Sequence, residues 1–129
     1  MADAHPLARL ETLALIAIGG FAGSNLRFFS IDLFSTTVGI LLANVLGSFL
    51  LGLLVYESRY LSVVDRRARL LFTTGFLSSF TTYSGFAFGV ATAGDAAAML
   101  AIVAANYVLA LGGVLAGRWL ALELGGEST

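Results

Sequence analysis

Four apolar stretches separated by short polar links make up most of this chain. They run from about residue 10 to 29, 38 to 56, 70 to 91 and 96 to 122. Each is long enough to cross a bilayer, since a membrane-spanning helix needs about 20 residues. The pattern therefore predicts an all-α integral membrane protein in which residues 1–129 form a single transmembrane domain of four helices.

The third stretch differs from a helix that simply faces lipid. Its segment GFLSSFTTYSGFAFG (residues 75–89) interleaves Ser and Thr hydroxyls with aromatic rings inside the predicted span. Buried hydroxyls need hydrogen-bond partners, and irregular backbone at this depth persists only where protein buries it or where it lines a polar cavity. The segment indicates either a permeation or binding site, or a helix–helix contact whose hydroxyls bond to their own helix.

Composition supports the membrane assignment and excludes several functions. Hydrophobic residues make up 58% of the chain and charged residues 12%, and the net charge of −1 gives no electrostatic case for binding nucleic acid. The chain has no Cys, and its single His5 lies in the polar N-terminal stretch. No nucleophile–base pair or metal-ligand set can be assembled from this inventory, so we expect the protein not to be an enzyme.

The predicted spans contain almost no ionisable groups. Glu11, Glu57 and Glu123 lie at span ends, whereas proton-coupled transporters keep such groups within the membrane. A pathway would therefore be lined by hydroxyls, amides and aromatic ring edges, which bind a small anion more weakly than a fixed charge does. Asn44 suits either such a lining or a bond between helices. Arg27 suits either an interfacial anchor or an anion-attracting vestibule.

Three motifs in order resemble the Fluc (CrcB) family of small fluoride channels. The family pattern GGxxGAxxRY corresponds to GGFAGSNLRF at residues 19–28, and GTLxxNxxGxFxxG corresponds to GILLANVLGSFLLG at residues 39–52. The pattern GFxGGxTTFSTF corresponds to GFLSSFTTYSGF at residues 75–86. Their order and spacing extend the resemblance over essentially all four predicted spans.

The resemblance implies a fluoride channel that exports F⁻ passively across the plasma membrane and protects the cell against fluoride. It implies an antiparallel dimer of the dual-topology type, two pores along the subunit interface, and a break in the third helix. A structural sodium ion at the dimer centre would be held by the backbone carbonyls of Ser78 and Thr81. The implied pore positions are Asn44, Thr82, Tyr83, Phe86 and Tyr107, with Arg27 in the vestibule.

The chain departs from the family patterns at several positions, of which four concern the proposed site. Ser78 and Ser79 replace a Gly-Gly pair, and serine adopts unusual backbone angles at a higher cost than glycine does. Tyr83 replaces the first pore phenylalanine and adds a hydroxyl, and Ile40 replaces a threonine.

The arginines predict the orientation of the chain and the nature of its partner. One side of the predicted membrane topology carries Arg9, Arg59, Arg66, Arg67, Arg69 and Arg118, and the other side carries Arg27. Since cytoplasmic loops attract the Arg excess, both termini should lie inside. A chain with one orientation cannot form an antiparallel homodimer, so we expect a paralogous partner of opposite orientation, with a homodimer as the alternative.

Four spans are too few to enclose a large pathway, so we expect an oligomer with glycine-rich helix faces at its interface. Two other functions remain open. One is a small multidrug-type dimeric transporter, which would depend on Glu11 as its membrane carboxylate. The other is a non-conducting structural partner subunit.

Overall fold

The computed structural model describes residues 5–126, and every regular element in that range is a helix. We number the helices α1 (Pro6–Phe34), α2 (Thr36–Tyr60), α3, α4 (Tyr83–Ala91) and α5 (Ala96–Gly126), where α3 joins the contiguous segments Arg66–Arg69, Leu70–Leu77 and Ser78–Phe80. The middle segment of α3 is a π-helix.

Within the described range, three helices are long and apolar enough to cross a membrane: α1, α2 and α5. They contain 29, 25 and 31 residues, so that their lengths of roughly 38 to 47 Å exceed the ~30 Å hydrocarbon core. These helices confirm the predicted all-α membrane fold. The third apolar stretch instead forms the shorter helices α3 and α4, so the count of four crossings stays a prediction.

The polar residues of the links begin the helices. Ser35, Asp65 and Asp95 precede α2, α3 and α5, and the side chain of each accepts a hydrogen bond of 2.7–3.2 Å from the backbone N–H three residues later. An oxygen at this position satisfies one of the N–H groups that a helix leaves unpaired at its start. These side chains therefore fix where the helices begin.

Glycines bring helices into close contact, notably α1 with α3 and α2 with α5. A Cβ atom added to Gly75 of α3 would lie 2.7 Å from the Ile16 carbonyl oxygen and 3.0 Å from the Gly19 Cα. A Cβ added to Gly113 of α5 would lie 2.8 Å from the Val45 carbonyl oxygen. Only glycine allows backbones to approach this closely.

The expectation that glycine faces form a subunit interface was therefore wrong for these positions. The glycines that pack against backbone of another helix in the same chain are Gly19, Gly23, Gly39, Gly52, Gly75, Gly113 and Gly117. A small residue predicts close packing between helices without specifying whether the neighbouring helix belongs to the same chain.

A buried carboxylate fixes the link between α2 and α3. Glu57 accepts hydrogen bonds from the backbone N–H groups of Val63 (2.6 Å) and Val64 (2.9 Å) and from the Arg69 guanidinium (3.0 Å). Only 6% of Glu57 is exposed. Since every one of these partners is a donor, the carboxylate is satisfied in its buried position.

Two other arginines of this end contact neighbouring helices. Arg67 forms an ion pair with Glu11 of α1 at 2.6 Å, and the Arg118 guanidinium lies 5.4 Å from the centre of the Tyr56 ring. The start of α1, the link from α2 to α3 and the end of α5 therefore lie at one end of the molecule, whereas Arg27 extends toward the region between α3 and α4.

Candidate functional site

The third apolar stretch is broken at Thr81 and Thr82. Both residues have extended backbone, with φ −82° and ψ 156° at Thr81 and φ −151° and ψ 121° at Thr82. Threonine is branched at Cβ and tolerates extended backbone better than helix. The Thr82 hydroxyl then accepts a hydrogen bond from the Gly85 N–H at 3.0 Å and caps α4. The break predicted in the third helix is thus present at these two threonines.

Asn44 of α2 holds the break by bonding to both backbone groups of Thr82. Its Oδ1 accepts from the Thr82 N–H at 2.8 Å, and its Nδ2 donates to the Thr82 carbonyl oxygen at 3.0 Å. The opposite orientation of the amide would set donor against donor and acceptor against acceptor, so the backbone of Thr82 fixes it. Asn44 replaces the helical partners that the broken backbone lacks.

A second amide, Asn106 of α5, completes this network. The Asn44 Nδ2 donates to Asn106 Oδ1 over a long contact of 3.4 Å, and Asn106 Nδ2 donates to the Ile102 carbonyl oxygen at 2.9 Å. Asn106 is 9% exposed. Asn106 is not among the site residues predicted from the sequence, although an amide within an apolar span is the same signal that identified Asn44.

A groove of about 440 Å³ runs along α2, the break and α5. It brings together most of the residues predicted from the family resemblance: Asn44, Ser78, Thr81, Thr82, Tyr83, Phe86 and Tyr107. Arg27 does not belong to the described residues that line the groove. Its Nη1 lies 3.5 Å from the Thr81 carbonyl oxygen, on the break itself.

Three aromatic rings form the wall at one end of the groove. The Phe86 ring centre lies 5.8 Å from that of Tyr107 with the planes at 85°, and 5.7 Å from that of Tyr83 with the planes at 57°. Phe86 is 9% exposed, whereas Tyr83 is 75% and Tyr107 is 56% exposed. Tilted rings present positively polarised edges to a neighbour, so this wall can face an anion without carrying charge.

Several hydroxyls along the groove donate to their own helices. Ser48 donates to the Asn44 carbonyl at 2.7 Å, Thr81 to the Leu77 carbonyl at 2.9 Å, and Ser78 to the Thr74 carbonyl. Each hydroxyl has a single proton, so these three present only lone pairs to the groove. The interpretation of the hydroxyls as bonded to their own helix therefore holds for Ser78 and Thr81.

The break also leaves two backbone carbonyls without their helical partners. In a continuous helix the Ser78 carbonyl would accept from the Thr82 N–H and the Thr81 carbonyl from the Gly85 N–H. Those two N–H groups instead donate to the Asn44 and Thr82 side chains. Ser78 itself has ordinary helical angles, φ −65° and ψ −24°, so serine in place of the family's glycine causes no backbone strain here. Carbonyl oxygens without helical partners fit the requirements of a sodium ion, although that of Thr81 also lies 3.5 Å from Arg27 Nη1.

One further hydroxyl borders the groove, on the π-helical segment of α3. Thr73 belongs to the groove lining, yet its Oγ1 is buried and has no hydrogen-bond partner within residues 5–126. An unpaired buried hydroxyl reduces stability.

Comparison with known proteins relates these features to a family. A family profile described as "CrcB-like protein, Camphor Resistance (CrcB)" matches residues 14–118. The chain is 48% identical over 118 residues to "Fluoride-specific ion channel FluC 1" of Haloarcula marismortui, covering 92% of this chain and 91% of that protein. It is 41% identical over 113 residues to "Fluoride-specific ion channel FluC 2" of Methanosarcina mazei, covering 88% and 89%. The chain belongs to the CrcB family.

Proposed function

We propose that this protein is a subunit of a fluoride-specific ion channel that lets F⁻ leave the cytoplasm passively. The observation that carries the proposal is the 48% identity, over 92% of the chain, to a protein named as a fluoride-specific ion channel. The protein is a channel rather than an enzyme, and its groove has the neutral, hydrogen-bonding lining that such a channel needs.

The proposed pore follows the groove past Asn44, Thr82, Tyr83, Phe86 and Tyr107. Ring edges and hydroxyl protons of the wall bind the anion weakly enough for it to leave again. Asn44 contributes by holding the backbone of Thr82, since its own amide groups are occupied there. We assign Arg27 to the vestibule, where its charge raises the local anion concentration.

The proposed assembly is an antiparallel dimer in the plasma membrane, with the open side of each groove closed by the partner. Two observations support a paralogous partner of opposite orientation. Five of the seven arginines (Arg59, Arg66, Arg67, Arg69 and Arg118) lie at the end of the molecule that includes the link from α2 to α3 and the start of α1. The relatives are numbered FluC 1 and FluC 2, as expected where one organism has two such chains. A homodimer is the alternative.

We further propose a structural sodium ion at the dimer centre, held by the carbonyls of Ser78 and Thr81 from each subunit. The ion would join the two breaks and so stabilise the dimer. Exchange of sodium for a large organic cation should therefore lower the melting temperature of the purified dimer. An unchanged melting temperature would contradict a sodium site.

Fluoride efflux from proteoliposomes tests the channel function. Vesicles loaded with fluoride and carrying the purified protein, with its paralogue added if the genome supplies one, should empty without a proton gradient when a potassium ionophore balances charge. Chloride-loaded vesicles prepared in parallel should retain their anion. Fluoride efflux no faster than from protein-free vesicles would refute the proposal.

Cysteine labelling tests the orientation. The chain has no native Cys, so Ser62→Cys and Asp95→Cys each introduce one thiol, at opposite ends of the helices. In intact cells an impermeant maleimide should label Asp95→Cys and spare Ser62→Cys. Comparable labelling of both variants would establish dual topology and favour the homodimer.

A further inference from the structure

We infer that Asn106 donates a hydrogen bond to the permeating anion, and that it is therefore a specificity-determining residue of the pore in addition to those predicted from the sequence. This inference rests on the proposed fluoride-channel function. It depends on which N–H and O–H hydrogens along the groove lack an acceptor within the described residues.

The amide of Asn106 has one hydrogen to spare. Its Nδ2 carries two hydrogens, and one of them bonds to the Ile102 carbonyl oxygen at 2.9 Å. Within residues 5–126 no second acceptor contacts this nitrogen. The Oδ1 of Asn106 accepts a hydrogen bond from Asn44. Because Asn106 lines the groove, a ligand in the groove can reach the remaining hydrogen.

Asn44 has no such hydrogen. Its Nδ2 donates to the Thr82 carbonyl at 3.0 Å and to Asn106 Oδ1 at 3.4 Å, which uses both. The two amides therefore have different roles, although both are lone Asn residues in apolar helices. Asn44 holds the break, and Asn106 presents the free donor.

Other donors near Asn106 are few. The protons of Ser48, Ser78 and Thr81 are donated to helix carbonyls. Tyr107 follows Asn106 in sequence and presents its ring to Phe86. Asn106 therefore supplies a fixed, nearly buried donor beside the aromatic wall, where a dehydrated anion most needs one.

Saturation of fluoride efflux in proteoliposomes tests the inference. Loss of a donor to the ion should raise the fluoride concentration that gives half-maximal efflux, by roughly tenfold in Asn106→Leu. A role limited to holding Asn44 would lower the maximal rate and leave this concentration unchanged. Ser48→Ala is the matched control, because it removes a groove hydroxyl whose proton is already committed, and it should stay within about twofold of wild type.

A second variant keeps the test valid if Asn106→Leu does not assemble. Asn106→Asp retains an oxygen that accepts from Asn44 and loses both N–H donors, so its half-maximal concentration should also rise. A wild-type value in either assembled variant would overturn the inference. Wild-type protein without fluoride efflux would refute the proposed function itself, and the role of Asn106 would fall with it.

Discussion

The polar side chains in two parts of the same groove have different kinds of hydrogen-bond partner. In the stretch lined by Ser48 and Ser78, each hydroxyl bonds to a carbonyl of its own helix. Around the break, Asn44 and Asn106 connect α2, Thr82 and α5 across large sequence separations. The first arrangement leaves the helices intact. The second replaces helical hydrogen bonds with side-chain ones, and it leaves two carbonyls without their helical partners and one amide hydrogen without an acceptor among the described residues.

The contrast shows that the number of polar residues is a poor guide to where an anion binds. A hydroxyl on a continuous helix nearly always has a carbonyl one turn earlier to which it can donate. A donor becomes available to a ligand only where that local partner is absent or where the group carries more hydrogens than partners. The break and the amide pair meet this condition, and the hydroxyl stretch does not.

The largest effect should follow from removing the two hydrogen bonds between the Asn44 side-chain amide and the Thr82 backbone. Asn44→Leu keeps the number of side-chain heavy atoms and a similar branched shape but leaves the N–H and the carbonyl of Thr82 without partners, at a cost of about 1–3 kcal/mol for each buried group. We expect fluoride efflux to fall to background and the melting temperature to drop. Ser48→Ala, one turn along the same helix, should change neither property. Wild-type efflux in Asn44→Leu would show that the break does not depend on these two hydrogen bonds.

A smaller effect, confined to conduction, should follow from removing the edge of one ring. Phe86→Ile keeps apolar bulk and loses the positively polarised ring edge, so fluoride efflux should fall roughly tenfold while the protein stays folded. Phe88→Ile is the matched control on α4, since Phe88 is 63% exposed and Phe86 only 9%. Equal effects of the two substitutions on efflux would contradict a special role for the Phe86 ring.

The smallest effect should come from Thr73 of the groove. Its hydroxyl bonds neither to its own helix nor to another segment within the described residues. Thr73→Val removes the unpaired hydroxyl at nearly constant shape and should stabilise the protein by about 1 kcal/mol without changing efflux. Thr81→Val, which removes a hydroxyl with a partner, should destabilise it. Thermal unfolding monitored by circular dichroism measures both. Destabilisation by Thr73→Val would mean that its hydroxyl has a partner in the assembled channel.

Local sequence determined the helices, their starting points and the family. Apolar stretches of membrane length specify helices because the bilayer leaves the backbone no other partners, and Ser35, Asp65 and Asp95 cap helices through bonds to residues three positions away. The consecutive threonines Thr81 and Thr82 lie where the third helix breaks. Each of these outcomes depends on neighbours in the chain, so a reading of the sequence could anticipate it.

Tertiary structure decided how the polar groups and the glycines are used. Asn44 is 38 residues from Thr82 and 62 from Asn106, and no local pattern indicates that its amide would be occupied by both. A glycine allows close contact with any neighbouring helix. In this fold the contact lies between α2 and α5 of one chain at Gly52, Gly113 and Gly117. A hydrogen bond between distant segments depends on which helices become neighbours, and this is settled only when the whole chain packs.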